Sequence, residues 1–307
     1  MRSLLFVPAD SPRKLEKSLQ SGSDVLIFDL EDAVSPSRKQ EGRTELVKFL
    51  TDIRQTGLET PQLYVRVNAL TTGMTLADLA AVMPCRPAGI VLPKSTGAKD
   101  LALLSAYLEA FEHLYPQVDT AQGGTRSSAL TSSALTSIIA IVTETADSLA
   151  GLNEYRGATP RLAGMMWGAE DLSGDIGALT NKEEGASGEW SSPFKLVRSL
   201  CLFAATAAGV PAIDTVPTEI NNVEALTRET RQAYRDGFSA KAAIHPGQVP
   251  VINQAMTPDA ATQEWASRVI AAFAASASVG VATLDGKMLD TPHLRLAKKV
   301  IAAAKLA

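Results

Sequence analysis

An alternation of short β-rich runs with longer helix-patterned stretches, repeated eight times, is what most constrains the fold of this chain. The runs are Arg2 to Pro8 (RSLLFVP), Asp24 to Leu30 (DVLIFDL), Gln62 to Asn68 (QLYVRVN) and Gly89 to Lys94 (GIVLPK). Ser137 to Thr145 (SIIAIVTET), Arg161 to Gly168 (RLAGMMWG), Pro211 to Val216 (PAIDTV) and Ala240 to Pro246 (AKAAIHP) complete the series. Several are nearly continuous in apolar residues, the pattern of parallel strands buried on both faces. Between them, Ser11 and Pro12 open a helix with a capping hydroxyl and a proline at the first helical position. Leu101 to Tyr115 and Phe194 to Ala208 carry apolar residues at helical spacing, and another helix starts at Thr218–Glu219 and ends near Gly237. Strand–helix units of this length require parallel strands and right-handed crossovers. Eight of them, with no glycine-rich dinucleotide fingerprint after the first strand, suit an α/β fold of the closed (β/α)8 TIM-barrel type, flanked by eight helices.

Two regions depart from this rhythm. Residues 119–136 contain the pentapeptide SSALT twice in tandem, a low-complexity loop insertion on the face away from the expected active site. After Met256 come two Ala-rich helical stretches, Ala260 to Ala277 and Pro292 to Leu306, on either side of VGVATLDGKMLD, in which Gly286 reads as a hinge. The expected organisation is a catalytic barrel over residues 1–256 and a C-terminal helical extension and lid over 257–307. The apolar fraction of 46% is ample for a large core, which excludes a disordered chain. A net charge of −4 and 5% aromatic residues give no reason to expect nucleic acid. The amino-terminal apolar run is too short for a secretory signal, and no stretch approaches a membrane span of roughly 20 apolar residues. Cys85 and Cys201 form no CxxC and read as buried thiols, so a cytoplasmic protein is expected.

In a barrel of this kind, chemistry collects at the carboxyl ends of the strands. There the sequence puts Asp29, Glu31 and Asp32 after the second strand, Arg66 and Asn68 on the third and Lys94 on the fourth. Glu144 ends the fifth, Glu170 and Asp171 follow the sixth, Asp214 lies on the seventh and His245 ends the eighth. Carboxylates facing one cavity repel unless a cation intervenes, and Mg²⁺ takes one or two of them together with substrate and water oxygens. Glu144 and Asp171, on adjacent strands, suit that role; of the neighbours Glu170 and Asp171, alternation aims one inward. With three histidines and no HExxH, zinc is not indicated. Arg66 is able to grip a substrate carboxylate or ketone bidentately. Asp29, Glu31 and Asp32 read as carboxylates that orient the metal's waters or as salt-bridge partners on the barrel rim, Lys94 as their counter-ion rather than a Schiff-base lysine, and His245 as a structural cap rather than a general base.

The motifs RSLLFVPADSPRKLEKS, DVLIFDLEDAV, YVRVN, GIVLPK, a strand ending in ETA, GAEDL, GFSAKAAIHPGQ and DGKMLDTPHL occur in this order from Arg2 to about Leu296. Together they resemble the citrate lyase β-subunit-like family of the HpcH/HpaI aldolase/citrate lyase superfamily. The resemblance implies a Mg²⁺-dependent carbon–carbon lyase that cleaves a 3-hydroxy-acyl thioester of the citramalyl-CoA, malyl-CoA or citryl type into an acetyl thioester and a 2-oxo acid. Alternatives on the same site are a citrate lyase subunit acting on acyl carrier protein within a complex, and a malate-synthase-like or thioesterase activity. By motif, Glu144 and Asp171 match the metal ligands and Arg66 the residue holding the oxo acid. Phe6, Arg13 and Lys17 fall where relatives line the thioester carrier's pocket and bind its phosphates, and Ile213 and Asp214 fall on a strand that lines it too. Asp290 matches an acid/base residue on a lid that, in such relatives, closes over a neighbouring subunit of a trimer. The chain has Ala9 where many relatives carry glycine.

Overall fold

The computed structural model describes residues 1–116, 135–183, 188–276 and 280–305. The tandem SSALT segment lies outside these residues except for its last two, Leu135 and Thr136, and Ala277 and Leu306 at the ends of the two expected tail helices lie outside them too. Eight parallel strands close into a barrel in sequence order. They are β1 (Ser3–Pro8), β2 (Val25–Asp29), β3 (Gln62–Arg66), β4 (Gly89–Leu92), β5 (Ser137–Ile141), β6 (Leu162–Met166), β7 (Ala212–Asp214) and β8 (Ala240–Ala243). Pairing of Leu4 with Ala242 closes the ring between β1 and β8. Outside the barrel lie α1 (Pro12–Ser18), α2 (Lys39–Thr56), α3 (Thr75–Val82), α4 (Ala98–Leu114), α5 (Glu170–Ile176), α6 (Ser192–Ala208), α7 (Val223–Asp236) and α8 (Val249–Met256). No helix among the described residues is long and apolar enough to cross a membrane.

The crossovers differ from expectation in two places. The β5–β6 connection is a 3₁₀ segment, Asp147–Tyr155, whereas β6–β7 carries two helices. Helix α7 starts at Val223, not at Thr218, because the Asn222 side chain accepts the Ala225 N–H at 3.0 Å and is the better cap. At α1, Pro12 occupies the first turn as expected, but the Ser11 hydroxyl makes no cap bond; its carbonyl accepts from Lys14 and Leu15. Cys201 is buried, while Cys85 is only half-buried; both are free thiols.

Strand parity divides the core into two layers. Leu4, Val25, Ile27, Tyr64, Val91, Ile139, Met166, Ile213, Ala240 and Ala242 fill the barrel interior. Their sequence neighbours, among them Leu5, Leu26, Phe28, Val65, Ile90, Leu92, Ala140, Met165 and Ala212, pack against the helices. Tyr64 and Gly89 are register partners on β3 and β4, and the Tyr64 ring lies across the glycine.

The tail has a small core of its own. Helices α9 (Ala260–Ala275) and α10 (Thr291–Ala304) pack around Ala266, Val269, Leu289, Ala297 and Val300. Between them β9 (Val281–Leu284) and β10 (Lys287–Asp290) form an antiparallel hairpin. Its two-residue turn has Asp285 and Gly286 at φ of 50° and 74°, the Asp-Gly chemistry of a tight hairpin. Gly286 is thus a turn residue and not a hinge.

A Cβ added at Gly89 would lie 2.1 Å from the Tyr64 ring. Gly89→Ala should therefore destabilise the barrel by about 1–3 kcal/mol, as overpacking does, read as a lower urea midpoint at unchanged slope.

Candidate active site

Parity also decides which charges reach the carboxyl-end mouth of the barrel. Phe6, Asp29 and Arg66 share parity with the interior residues Leu4, Ile27 and Tyr64, and they sit on top of that inner core. Asp29 and Arg66 are register partners, so their side chains stand side by side. Asp29, 1% exposed, accepts Arg66 Nε at 2.8 Å and Nη2 at 2.6 Å. The same carboxylate accepts the backbone N–H groups of Glu31 at 2.8 Å and Ala33 at 3.1 Å, which folds the turn after β2 around it. The Arg66 guanidinium lies 4.8 Å from the Phe6 ring centroid, a cation–π contact beneath the mouth.

Glu31 joins this pair to the rest. Its Oε2 is 2.9 Å from Arg66 Nη1 but off the N–H axis, so a buried oxygen is left without a hydrogen bond. Its Oε1 takes Lys94 Nζ at 2.6 Å, and the same ammonium is 3.2 Å from both Asp32 and Asp171. Burial opposes the charge on Lys94, but Glu31, Glu144 and Asp171 outweigh it and hold the ammonium above its ordinary range. A Schiff-base lysine needs the opposite shift. Lys94 has φ of 51°, a left-handed conformation strained for a side chain with a Cβ, and its backbone N–H donates to Glu144 Oε2 at 2.5 Å.

Glu144 follows β5 and is 3% exposed. Burial pushes its carboxyl up to about 8; Arg66 pulls it down, and Glu31 and Asp171 push it up. Gly168, after β6, makes room for it: a Cβ there would come within 2.6 Å of Glu144 Cγ. Asp171 stands in the first turn of α5, three residues further along. Its neighbour Glu170 instead accepts Asn181 Nδ2 at 2.7 Å in an exposed position.

Five carboxylates, Asp29, Glu31, Asp32, Glu144 and Asp171, thus meet two cationic side chains at the mouth, Arg66 and Lys94. A third cation, Lys39, is engaged by the carbonyls of Leu30 and Glu31 at 2.8 and 2.7 Å. The mouth stays electronegative, and a carboxyl as buried as Glu144 ionises readily only if further positive charge arrives. An oxygen-only pair, Glu144 with Asp171, beside an unsatisfied Glu31 oxygen that suits an ordered water, fits a hard divalent cation such as Mg²⁺.

Other expected residues lie elsewhere. Ile213 is sealed in the interior core, and Asp214, of opposite parity, points into the helix layer. There it takes Lys241 Nζ at 2.7 Å, Arg198 Nε at 3.2 Å and Trp167 Nε1 at 2.7 Å, so its carboxylate does not reach the mouth. A cavity of about 830 Å³ between α6 and α7 approaches Asp214 from outside the barrel; Arg198 with Asp236 and Lys195 with Glu189 pair off within its walls. Arg13 and Lys17 are exposed on α1, which leaves β1 at the mouth end. Asn68 is buried on Leu30 O and Asp78 and secures the loop after β3. His245 Nδ1 accepts the Gly247 N–H at 3.1 Å and caps the turn after β8. Asp290 lies on the outward face of the β9–β10 hairpin, where its carboxylate pairs with His293 Nδ1 at 2.6 Å rather than with the charges of the mouth. Gly168 escaped the sequence reading because a seat for another side chain has no residue-type signature.

The model of the HpcH/HpaI aldolase/citrate lyase family matches residues 2–246, and that of carbon–carbon bond lyases of the TIM-barrel fold matches residues 195–307. The (3S)-malyl-CoA thioesterase of Cereibacter sphaeroides is 31% identical over 99% of this chain and 94% of its own length. The mitochondrial citramalyl-CoA lyase of Rattus norvegicus is 29% identical over 99% of this chain and 86% of its own. The crystal structure of CitE from Mycobacterium tuberculosis, in complex with magnesium, acetoacetate and coenzyme A, superposes with a TM-score of 0.75. That chain is 32% identical, and the match covers 99% of this one and 98% of that one.

Replacing Gly168 with alanine should drive the Glu144 side chain from its place beside Lys94 N while leaving the barrel folded. Titration calorimetry with Mn²⁺ should then give an affinity lower by roughly tenfold or more, the scale on which supporting groups control a metal site.

Proposed function

The chain belongs to the HpcH/HpaI aldolase/citrate lyase family, and on that premise we propose that it is a Mg²⁺-dependent carbon–carbon lyase of 3-hydroxy-acyl-CoA thioesters, releasing acetyl-CoA and a 2-oxo acid. One observation carries the reading: a buried metal-competent carboxylate, Glu144, and a rigidly held guanidinium, Arg66, converge on one electronegative mouth. Glu144 and Asp171 hold the ion, which when bound supplies Lewis acidity towards the oxygens of the oxo-acid half. Arg66 holds the carboxylate and the nascent ketone oxygen, and Asp29 keeps the guanidinium in one orientation.

In the cleavage direction the 3-hydroxyl gives its proton to solvent water at the mouth, its oxygen becomes the ketone of the 2-oxo acid as the C2–C3 bond breaks, and the electrons of that bond pass to the thioester enolate. Protonation of that enolate carbon gives the acetyl thioester, and Asp290 serves as the acid. Phe6 lines the mouth, and Arg13 and Lys17, one helical turn apart, bind phosphates of the carrier. The enzyme works in the cytoplasm, where Cys85 and Cys201 stay reduced.

The thioesterase name of the Cereibacter sphaeroides relative supports a second outcome on the same site, hydrolysis of the thioester. A panel of citramalyl-CoA and malyl-CoA, assayed with and without Mg²⁺, separates the two. Lyase action should release a 2-oxo acid and acetyl-CoA only with Mg²⁺, and Glu144→Ala and Asp171→Ala should abolish it. Free CoA with an intact hydroxy acid would favour hydrolysis, and equal turnover without metal would overturn the reading.

We place Asp290 in a neighbouring subunit's site within a homotrimer. The β9–β10 hairpin turns Val281 and Met288, 40% and 73% exposed, to the same outward face as Asp290. An acid framed by exposed apolar side chains suits a surface that closes on another molecule of the same chain. Mixing inactive Asp290→Ala and inactive Glu144→Ala subunits, with exchange, should restore activity. Verified mixed oligomers that stay inactive would contradict the assignment.

A further inference from the structure

The run Trp167 to Asp171 leads directly from β6 to the mouth and carries two parts of the site: Gly168, the seat of Glu144, and Asp171. Its first residue is fixed from behind. Trp167 is fully buried in the helix layer, and its indole Nε1 donates to Asp214 Oδ1 at 2.7 Å. Asp214 and Lys241 are register partners on β7 and β8, so parity turns both side chains outward together. Lys241, fully buried, donates to Asp214 Oδ2 at 2.7 Å and to Thr215 O at 2.9 Å. Arg198, from α6, reaches Asp214 at 3.2 Å and Asp236, on α7, at 2.6 Å.

A fully buried ion pair is a poor source of stability, because apolar side chains of similar volume often replace one without loss. What it does supply is direction: a carboxylate held by two cations presents one fixed lone pair to the indole. Asp214 stays ionised for the same reason, since Lys241 and Arg198 outweigh its burial and hold it below the usual carboxylate range. The hydrogen bond it accepts is charge-assisted and correspondingly directional.

We infer that Asp214, Lys241 and Trp167 form a positioning relay for the metal site: Lys241 orients Asp214, Asp214 anchors the Trp167 indole, and Trp167 fixes the Gly168–Asp171 turn that seats Glu144 and presents Asp171. The inference rests on the metal-site reading above and extends it to three residues that touch neither substrate nor metal. The turn has a second tie, Gly168 N–H to Thr143 Oγ1 at 3.1 Å, which binds it to the strand end that carries Glu144. Loosening Trp167 therefore moves Gly168 and Asp171 relative to Glu144, and the cation is the group that senses their separation.

Trp167→Phe removes the indole donor and keeps an aromatic ring in the core; Lys241→Met removes the cation and keeps its length. Both are tested on the full-length protein by Mn²⁺ titration calorimetry without substrate, alongside thermal melting and steady-state kinetics. In each variant the Mn²⁺ affinity should fall roughly tenfold, at the low end of the effect of groups that support metal ligands. The Mg²⁺ concentration for half-maximal rate should rise in parallel, with the KM for the thioester at saturating Mg²⁺ little changed. Wild-type Mn²⁺ affinity in a folded Trp167→Phe protein would overturn the relay and leave the metal site standing. So would reduced melting temperature with unaltered affinity in the folded fraction of both variants. Absence of Mn²⁺ binding to the wild-type chain would overturn the relay and the metal reading together.

Discussion

Strand parity is the constraint on which this structure depends. A strand sends alternate side chains to opposite faces, so in a closed barrel each residue belongs to the interior or to the helix layer. On β2 and β3 the sequence ends in phase with the interior, and Asp29 and Arg66 crown the inner core. On β7 and β8 the phase is reversed for the charged residues, and Asp214 and Lys241 meet between barrel and helices. One rule thus produces two electrostatic centres, one facing the mouth and one behind it.

The two centres are built differently. Behind the barrel, Asp214 and Asp236 are matched by Lys241 and Arg198, and the group is internally neutralised. At the mouth, carboxylates outnumber cations, Glu31 keeps an oxygen without a hydrogen bond, and Glu144 is displaced towards neutrality by burial. Such a site is costly to assemble alone and gains when positive charge is added. The strained backbone of Lys94, which donates to Glu144 while its ammonium spans Glu31, Asp32 and Asp171, belongs to the same centre.

Much of this was legible in the sequence, and the rest was not for physical reasons. Near-continuous apolar runs announce buried parallel strands, and charges just after them point to the mouth, where Asp29, Glu31, Arg66, Lys94, Glu144 and Asp171 lie in contact with one another. Asp214 was misplaced because position at a strand end does not reveal phase; its neighbour Ile213 takes the interior slot. The start of α7 was misjudged because Thr218 and Asn222 are both capping residues, and only the fold selects Asn222. Gly286 gave the same signal for a hinge as for a tight turn, and pairing of Leu284 with Lys287 decides for the turn. Gly168 and Trp167 act through space on residues distant in sequence, and no local pattern reports that.

On the proposed function, Glu144 and Asp171 hold a divalent cation beside an oxo acid gripped by Arg66. The most direct test is a crystal of this protein soaked with Mn²⁺ and a 2-oxo acid, with data collected for the anomalous signal of manganese. A single strong peak is expected at the mouth, ligated by Glu144 and Asp171, with the oxo acid's carboxylate against Arg66. Manganese bound to Glu31 and Asp32 instead, or an oxo acid bound away from Arg66, would contradict it.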